Sequence, residues 1–333
     1  MRLVQLRQGE QRRVALVEEP RLRLLSGADS IYELANAAIH EGDAFSTLVQ
    51  RSLTTETLDY DAVYGGRSPW HLLPPIDHPA QPGCCFVTGT GLTFLGSARD
   101  RDAMHDVSKG EPTDSMRMFQ WGVAEGKPAP GAIGVAPEWF YKGNGTILRA
   151  QGEPLLVPPY AEDGGEEAEV AACYIIAPNG EPYRLGMAAG NEFSDHVCEK
   201  KNYLYLAGSK LRTCSLGPEL VVDPAFDSVP GTVSLRRDGQ VFWSRDIRAG
   251  EEEMCHSLAN LEHHHFKFEL NRRAGDVHVH FLGAGLLSFG EGIHLRDGDV
   301  MEIRFDGFGR PLSNPVQYAS SAEYRPLKVH TFS

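Results

Sequence analysis

Two glutamates one residue apart, Glu167 and Glu169, are the residues of this 333-residue sequence best suited to chemistry. They open an apolar run, 168–177, that predicts a strand, and the two-residue period of a strand places both carboxylates on one face. Carboxylates this close repel each other unless a cation lies between them, and oxygen ligands favour Mg²⁺, Mn²⁺ or Ca²⁺ over zinc. A solvated acidic edge is the alternative interpretation, because Glu162 and Asp163 extend the acidic run.

Glu192 is the third acidic candidate, and it follows a second strand-like segment, 183–189. A turn at 178–180 separates the two predicted strands, and the hairpin that it would close returns Glu192 toward Glu167. Three carboxylates and bound water would complete an octahedral site with positions open for a ligand. The sequence therefore predicts a divalent-cation site formed by Glu167, Glu169 and Glu192.

Lys210 follows this acidic region in a Gly-Ser-Lys segment. A lysine beside a metal-bound keto acid can stabilise the oxygen of a developing enolate. Without a metal site nearby, a lysine on the surface is the ordinary interpretation.

Histidines suggest two further sites, neither of which the sequence favours. His278 and His280 alternate along a predicted strand as metal ligands often do, and 263–265 is a run of three histidines. Three consecutive histidines cannot all converge, so solvated or hydrogen-bonded roles are the better interpretation. The segment 194–196 contains serine, aspartate and histidine, but sequence neighbours point in different directions and no nucleophile-elbow pattern surrounds them.

Composition excludes several classes of function. Thirty-two basic and 45 acidic side chains give a formal net charge of −13, which disfavours nucleic-acid binding. No stretch approaches the length of a membrane-spanning helix, and the N-terminus becomes charged before a secretory apolar core could form. The six cysteines include no CxxC pair, which argues against structural zinc. We therefore expect a cytoplasmic protein that binds neither nucleic acid nor membrane.

A change in residue pattern along the chain predicts two domains. Residues 30–50 predict a helix capped by Asp29 or Ser30, and the proline-rich stretch 69–82 predicts a linker that forms neither helix nor sheet. We place a small N-terminal α/β domain with its linker at residues 1–82 and a metal-dependent catalytic domain at 83–333.

The larger predicted domain is rich in short β-branched and aromatic runs separated by glycine, proline and aspartate turns. Helices are predicted at 97–109 and 254–270. Predicted strands, besides the hairpin, lie at 146–149, 231–237, 276–281 and 299–305. This mixture predicts an α+β fold around an antiparallel or mixed sheet.

Taken in order, these motifs resemble the fumarylacetoacetate hydrolase superfamily over roughly residues 84–318. The matching segments are Glu167-Ala168-Glu169, Asn191-Glu192-Phe193-Ser194-Asp195, Gly208-Ser209-Lys210, Gly217-Pro218, and the runs 274–277, 295–303, 307–309 and 314–316. The resemblance implies a β-roll catalytic domain that forms a homodimer, with the metal ligands at Glu167, Glu169 and Glu192. Glutamate replaces the more common aspartate at the third ligand position.

Two departures from the superfamily pattern favour one of its branches. The segment 89–100 lacks the histidine that activates water in the hydrolases and decarboxylases, and it is similar to the dehydratases of 2-keto-3-deoxypentonates. In that branch an acidic residue upstream acts as the proton shuttle, which Glu138 matches. The segment 282–285 lacks the threonine that many relatives have there. The hydroxyl group of that threonine, which would orient water or substrate, would have to come from Ser288.

The resemblance completes the predicted site with residues that support the ligands or contact substrate. These are Asp195, Ser97, Ser288 and Lys142, beside the catalytic pair Glu138 and Lys210.

The resemblance implies a Mg²⁺-dependent dehydratase of a 2-keto-3-deoxy sugar acid, similar to 2-keto-3-deoxy-L-arabinonate, that forms 2-oxoglutarate semialdehyde. A hydrolase of 2,4-diketo acids of the acylpyruvate type is the first alternative, and a decarboxylase of oxaloacetate-like acids is the next. A non-catalytic module that binds metal and keto acid is the third.

Overall fold

A computed structural model describes residues 1–104, 112–320 and 324–332. Within these residues the chain is a mixed α and β structure, with thirteen strands in one large sheet and five in a smaller one. No helix in the described ranges is long and apolar enough to span a membrane.

The strands of the first half are β1 (Arg2–Gln8), β2 (Gln11–Glu18), β3 (Arg21–Leu25), β4 (Leu53–Asp59), β5 (His71–Leu72), β6 (Cys85–Gly91), β7 (Glu138–Asn144), β8 (Leu148–Arg149) and β9 (Leu155–Val157). Those of the second half are β10 (Ala168–Ile176), β11 (Pro182–Asn191), β12 (Cys214–Leu216), β13 (Leu220–Val221), β14 (Val229–Arg237), β15 (Gln240–Ala249), β16 (Val277–Phe281), β17 (Val300–Phe305) and β18 (Leu312–Tyr318).

The α-helices are α1 (Ile31–Glu41), α2 (Phe45–Arg51), α3 (Tyr60–Tyr64), α4 (Leu95–Met104), α5 (Asp114–Glu125), α6 (His196–Lys201), α7 (Leu206–Lys210) and α8 (Leu258–Phe266). Short 3₁₀ turns lie at Pro82–Cys84, Gly145–Ile147, Tyr203–Tyr205, Glu269–Arg272 and Ser288–Glu291.

Both sheets are mixed, as the sequence predicted. The large sheet has the order β4-β3-β2-β1-β13-β11-β10-β16-β6-β7, with β5 on β1, β12 on β11 and β8 on β12. The small sheet has the order β15-β14-β17-β18-β9. Most neighbours are antiparallel, whereas β16–β6, β12–β8 and β18–β9 are parallel.

The predicted strands 168–177, 231–237, 276–281 and 299–305 correspond to β10, β14, β16 and β17. The segment 146–149 forms a 3₁₀ turn before the two-residue β8. The helix predicted over 254–270 is observed as the shorter α8. The helix predicted over 97–109 is observed as α4, which begins two residues earlier, and residues 105–109 lie outside the described ranges.

The helix predicted over 30–50 is two helices, α1 and α2. Ser30 caps α1, since its side chain accepts a hydrogen bond from the Glu33 amide, and the Glu33 carboxylate accepts one from Asp29 in return. Gly42 ends α1 because it adopts a left-handed conformation with φ 72° that a helix cannot continue.

Residues 1–82 extend the large sheet, since β1 pairs with β13 as well as with β2. The proline-rich stretch contributes β5, which also pairs with β1, although the sequence predicted no strand there. These residues nevertheless have a hydrophobic cluster of their own, which includes Leu6, Leu22 and Tyr60. The division into two domains near residue 82 stays a prediction.

The central strand β10 is buried along its whole length and separates two hydrophobic cores. Val170, Ala172 and Tyr174 face the core that the small sheet and α8 complete. Ala171 and Cys173 face the core that α1 and α2 cover. Side chains on β10 therefore alternate between two separate interiors, and this alternation decides which polar residues can meet.

Candidate metal centre and active site

Glu167, Glu169 and Glu192, here called the acidic triad, meet at the open end of the β10–β11 hairpin. Glu169 lies opposite Gly190 in the strand pairing, and the Glu192 amide donates to the Glu167 carbonyl at 2.9 Å. The three carboxylates each offer an oxygen within 4.8 Å of the others, and all three side chains are buried. The hairpin that the turn at 178–180 predicted is therefore present, and it brings the three glutamates together.

The triad is not part of a solvated acidic edge. Only Glu162 of the acidic run 162–169 is exposed, whereas Asp163, Glu166, Glu167 and Glu169 are buried. A buried carboxylate must be compensated by a cation or hydrogen-bond donors.

Two buried lysines compensate part of the triad's charge. Lys210 Nζ contacts a carboxylate oxygen of Glu167 and lies 3.0 Å from Glu192 Oε2. Lys142 Nζ lies 2.9 Å from Glu192 Oε1 and donates to the carbonyls of Phe193 and Lys210 at 2.8 and 3.0 Å. Both lysines are candidates from the sequence, which predicted no ion pair for either.

The remaining contacts of the triad come from a backbone amide and a histidine. Gly283 N donates to Glu169 Oε2 at 2.7 Å, and His196 Nε2 lies 3.2 Å from Glu167 Oε1. The charges of the triad are therefore compensated to different degrees. Glu192 and Glu167 form ion pairs, whereas Glu169 has none among the described residues.

The pKa values of the triad reflect this difference in compensation. Burial raises the pKa of Glu169 well above its usual value, and the charges of Glu192 and Glu167 raise it further. Burial also raises the pKa of Glu167, but Lys210 and His196 outweigh it and hold that pKa well below its usual value. Burial lowers the pKa of Lys210, yet Glu167, Glu192 and Glu199 raise it above its usual value, so the ammonium stays charged.

A small cavity of about 20 Å³ opens beside these groups. The triad, Lys210, Phe140, Ser97 and Glu199 line it. This volume suffices for an ion or one water molecule and is too small for a five-carbon acid. The walls that close it include the start of α4 and the loop 283–287, which touch where Gly96 approaches the carbonyl of Gly285.

Glu138 is not among the described residues that line this cavity. It is buried at the start of β7, on the strand face of Phe140 and Lys142, and it pairs with Gly91, which lines the cavity. Its role as a proton shuttle stays a prediction.

Ser97 and Ser288 are the two predicted supporting residues that carry a hydroxyl group. Of these two, only Ser97 lines the cavity, and its Oγ donates to the Phe94 carbonyl at 3.0 Å. Ser288 instead contacts Glu166, with its amide and its hydroxyl each donating to the carboxylate at 2.8 Å. Asp195 caps α6 through the Cys198 amide and pairs with Arg212 at 3.0 Å. Asp195 and Ser288 therefore order the segments around the triad.

Glu199 and His196 are residues near the triad that the sequence analysis did not assign. Glu199 is buried on α6 and lines the cavity, although it stands in a mixed-charge run, Glu199-Lys200-Lys201, a pattern that by itself is typical of a solvated helix face. His196 follows Asp195 directly, so only the folded chain reveals that its ring points to Glu167.

The triad fits a hard divalent cation. Its donors are oxygens only, they are close together and buried, and the charge of Glu169 has no paired cation among the described side chains. Mg²⁺ and Ca²⁺ take carboxylate oxygens, and Mg²⁺ retains water at its other positions. The chain therefore has a buried acidic triad that could hold such an ion.

No protein-family model matches the sequence, and no curated protein does. Solved structures match it along nearly its whole length. The apo form of 2-keto-3-deoxy-D-arabinonate dehydratase is similar with a TM-score of 0.71 and 19% identity, over 96% of this chain and 100% of that chain. The form complexed with magnesium and 2,5-dioxopentanoate gives 0.70 and 19%, over 96% and 99%.

A second similar enzyme is 2-hydroxyhepta-2,4-diene-1,7-dioate isomerase from Mycobacterium marinum, with a TM-score of 0.57 and 16% identity over 96% of this chain and 98% of that chain. At such identities these likenesses establish the fold alone. The resemblance to the fumarylacetoacetate hydrolase superfamily, in its sugar-acid dehydratase-like form, is thereby confirmed at the level of the fold.

Proposed function

We propose that this chain, whose fold is that of the fumarylacetoacetate hydrolase superfamily, is a magnesium-dependent dehydratase. Its substrate is a 2-keto-3-deoxy sugar acid similar to 2-keto-3-deoxy-L-arabinonate, and its product is 2-oxoglutarate semialdehyde. The observation that carries this proposal is the convergence of three buried glutamates and Lys210 on one cavity. A similar structure contains magnesium with 2,5-dioxopentanoate, which is another name for this product.

Glu167, Glu169 and Glu192 would hold the cation, with Mg²⁺ preferred to Mn²⁺ or Ca²⁺. The chemistry that a cation supplies there, when bound, is polarisation of the substrate's 2-keto group, which acidifies the C3 protons. Ser97 lies in the cavity wall beside the triad and is available to orient the substrate.

Lys210 stabilises the enolate oxygen that forms at C2. Its ammonium is buried, charged and fixed beside Glu167 and Glu192, so it needs no reorganisation when negative charge develops. Lys142 lies behind Glu192 and supports this arrangement without lining the cavity.

Glu138 moves the proton. Its carboxylate accepts a C3 proton, and the C4 hydroxyl leaves as water after accepting a proton from the Glu138 carboxyl group. One proton is taken and one returned, so the enzyme is unchanged. This elimination leaves a double bond between C3 and C4. Loss of a proton from C5 and gain of a proton at C3 move the double bond to C4 and C5, and the resulting enol gains a proton at C4 and loses its hydroxyl proton to give the aldehyde.

Substrate entry requires the closed walls to separate. A cleft of about 680 Å³ lies directly beyond the Gly96–Gly285 contact, lined by Leu95 and Leu286 on the cavity side. Outward movement of the start of α4 and the loop 283–287 would join this cleft to the cavity and make room for a five-carbon acid.

Glu138→Gln tests the mechanism. We expect unchanged Mg²⁺ binding and turnover reduced by about two orders of magnitude or more, because a positioned acid–base contributes about 10²–10⁴-fold. Glu262→Gln is the control, since Glu262 contacts Tyr174 and Arg184 away from the cavity. Turnover of Glu138→Gln at the rate of this control would remove Glu138 from the mechanism.

A panel of 2-keto-3-deoxy sugar acids and acylpyruvates, offered with Mg²⁺ and analysed by mass, tests the proposed reaction. Loss of one water supports it. Carbon–carbon cleavage of an acylpyruvate would indicate the hydrolase instead, loss of carbon dioxide the decarboxylase, and binding without turnover the non-catalytic module. A homodimer in the cytoplasm completes the proposal, and sedimentation of the purified protein measures its oligomeric state.

A further inference from the structure

Residues 324–332, here called the arm, expose apolar side chains almost completely. Leu327 is 96% exposed and Val329 is 87% exposed, and Phe332 is fully exposed. The arm forms neither helix nor strand with the rest of the chain. Single apolar side chains are common on protein surfaces, but three within six residues, all uncovered, form the kind of feature that marks a protein–protein contact.

The sequence of the arm is suited to pairing with a strand. Leu327 and Val329 alternate with Lys328 and His330. In an extended chain the two apolar side chains therefore point to one face and the two basic ones to the other. Pro326 stands directly before this alternation, at a position where a strand tolerates proline. An extended peptide of this kind binds by adding a strand to the exposed edge of a sheet.

Charge favours a second copy of this chain as the partner. The arm carries Arg325 and Lys328 and no acidic side chain, whereas the whole chain has a formal net charge of −13. Complementary charges steer such surfaces together, and a second copy offers the acidic exterior. Within one chain the apolar side chains of the arm stay uncovered beyond Tyr324, whose ring lies 6.2 Å from that of Tyr160.

We propose that the arm docks on a second copy of this chain, with Leu327 and Val329 buried against it, and that the two copies exchange their arms around a two-fold axis. Exchange is reciprocal, so each contact occurs twice in the dimer. The apolar side chains leave water and provide most of the affinity, while the basic side chains favour an acidic partner. This inference rests on the homodimer of the proposed function and assigns an element that holds it together.

Sedimentation of the full chain at a series of concentrations measures the dissociation constant of the dimer. In the double variant Leu327→Ser/Val329→Ser we expect this constant to rise at least about a hundredfold, because full burial of one such side chain changes an equilibrium constant by about tenfold or more. Leu204→Ser/Leu270→Ser is the matched control, since it removes two leucines that are also exposed but lie outside the arm. An arm variant that dissociates no more readily than this control overturns the inference.

Lys328→Glu tests the choice of an acidic partner. The reversed charge meets like charges on the second copy, so the dissociation constant should rise about tenfold at low ionic strength, and by less at high salt, which screens the repulsion. Lys200→Glu is the control, because it changes the net charge equally at an exposed position outside the arm. Equal dissociation constants for these two variants would contradict docking on an acidic copy.

Failure of the proposed homodimer gives a different result. If the wild-type protein is monomeric at every concentration, the homodimer is wrong and this inference falls with it. If the wild type is dimeric and the arm variant is equally so, the homodimer stands and the role of the arm alone is lost. Turnover of the sugar acid is measured separately, so the proposed dehydratase reaction stands or falls on its own assay.

Discussion

Two buried polar clusters lie on opposite faces of the large sheet, and they are stabilised in different ways. The acidic triad occupies one face at the end of β10. His265, His278 and His280, here called the imidazole cluster, occupy the other, since His280 lies opposite Ala172 in the β10–β16 pairing. The first cluster consists of charges and the second of rings that remain neutral.

Burial keeps the imidazole cluster neutral, because it lowers the pKa of His265, His278 and His280. Trp139 Nε1 is 3.1 Å from His265 Nδ1, and because an indole nitrogen can only donate, His265 accepts there. His265 Nε2 is 3.0 Å from His278 Nδ1, so His265 donates its one remaining proton to His278. His280 Nδ1 is paired with the Thr88 hydroxyl at 2.8 Å. His278 Nε2 and His280 Nε2 have no hydrogen-bond partner among the described residues, so protein groups satisfy the neutral rings only in part.

The acidic triad carries charge, which burial alone does not remove. Lysine ammonium groups offset part of this charge, and burial together with Glu192 and Glu167 raises the pKa of Glu169. The two clusters therefore differ in what they need, because a buried neutral ring lacks at most a hydrogen bond, whereas a buried carboxylate also needs a positive charge nearby. The sequence suggested metal ligands on both faces, and the charge of the groups distinguishes the two.

The largest effect is expected from Lys142→Met, which leaves Glu192 with one of its two buried cations. The free energy of unfolding should fall by about 3–5 kcal/mol, the cost of breaking a buried ion pair from one side. Denaturant unfolding measures this change. Lys201→Met is the control, since its exposed pair with Glu162 should contribute about 0–1 kcal/mol. Equal losses in both variants would mean that the triad does not depend on buried counter-charges.

Glu169→Gln should have the next largest effect, on Mg²⁺ binding. Affinity is expected to fall at least about a hundredfold, more than the loss of a residue that only supports a ligand. Without metal the variant should be as stable as the wild type or more so, because one of three mutually repelling charges is gone.

Thermal unfolding with EDTA and with Mg²⁺ separates these two expectations, because a bound ion raises the midpoint of wild-type unfolding. His280→Gln is the control on the opposite face of the sheet and should retain the Mg²⁺ response. A Mg²⁺ response that survives in Glu169→Gln would show that the triad does not hold the ion.

The smallest effect concerns the pH dependence of stability through the imidazole cluster. Burial lowers the pKa of His265 from 6.5 to about 3. In the unfolded chain His265 therefore binds a proton near pH 6.5, whereas in the folded protein it stays neutral at that pH. The free energy of unfolding consequently falls as the pH falls below 6.5. Between pH 6.5 and about pH 5 this amounts to about 2 kcal/mol, which His265→Phe should remove from the pH dependence.

Denaturant unfolding at a series of pH values measures this contribution as a difference between slopes. His263→Gln is the control, because His263 lies exposed on the same helix, α8. If the slope of His265→Phe matched that of the wild type and of this control, His265 would not be a neutral buried ring, and the contrast between the clusters would fail.

The elements that the sequence predicted well are those whose signal is local. A strand period of two placed Glu167 and Glu169 on one face, and a short turn at 178–180 returned Glu192 to them, so the triad needed only one hairpin. Two predictions failed, one because a local helix-ending residue was overlooked and one because of pairing between distant segments. Gly42 splits the helix predicted over 30–50, and β5 forms in a proline-rich stretch because β1 offers it an edge.

The sequence by itself determined the acidic triad and the mixed sheet, because these follow from period, turn and residue type, and its resemblance to a known family added Glu138 and Lys142 to the candidates. Tertiary structure alone decided which of them touch. It paired Lys142 with Glu192, turned Ser288 toward Glu166, and brought Glu199 on α6 into the cavity wall. The physical reason is that burial and partners come from segments distant in the chain, and a residue's charge has chemical meaning only when the groups around it are known.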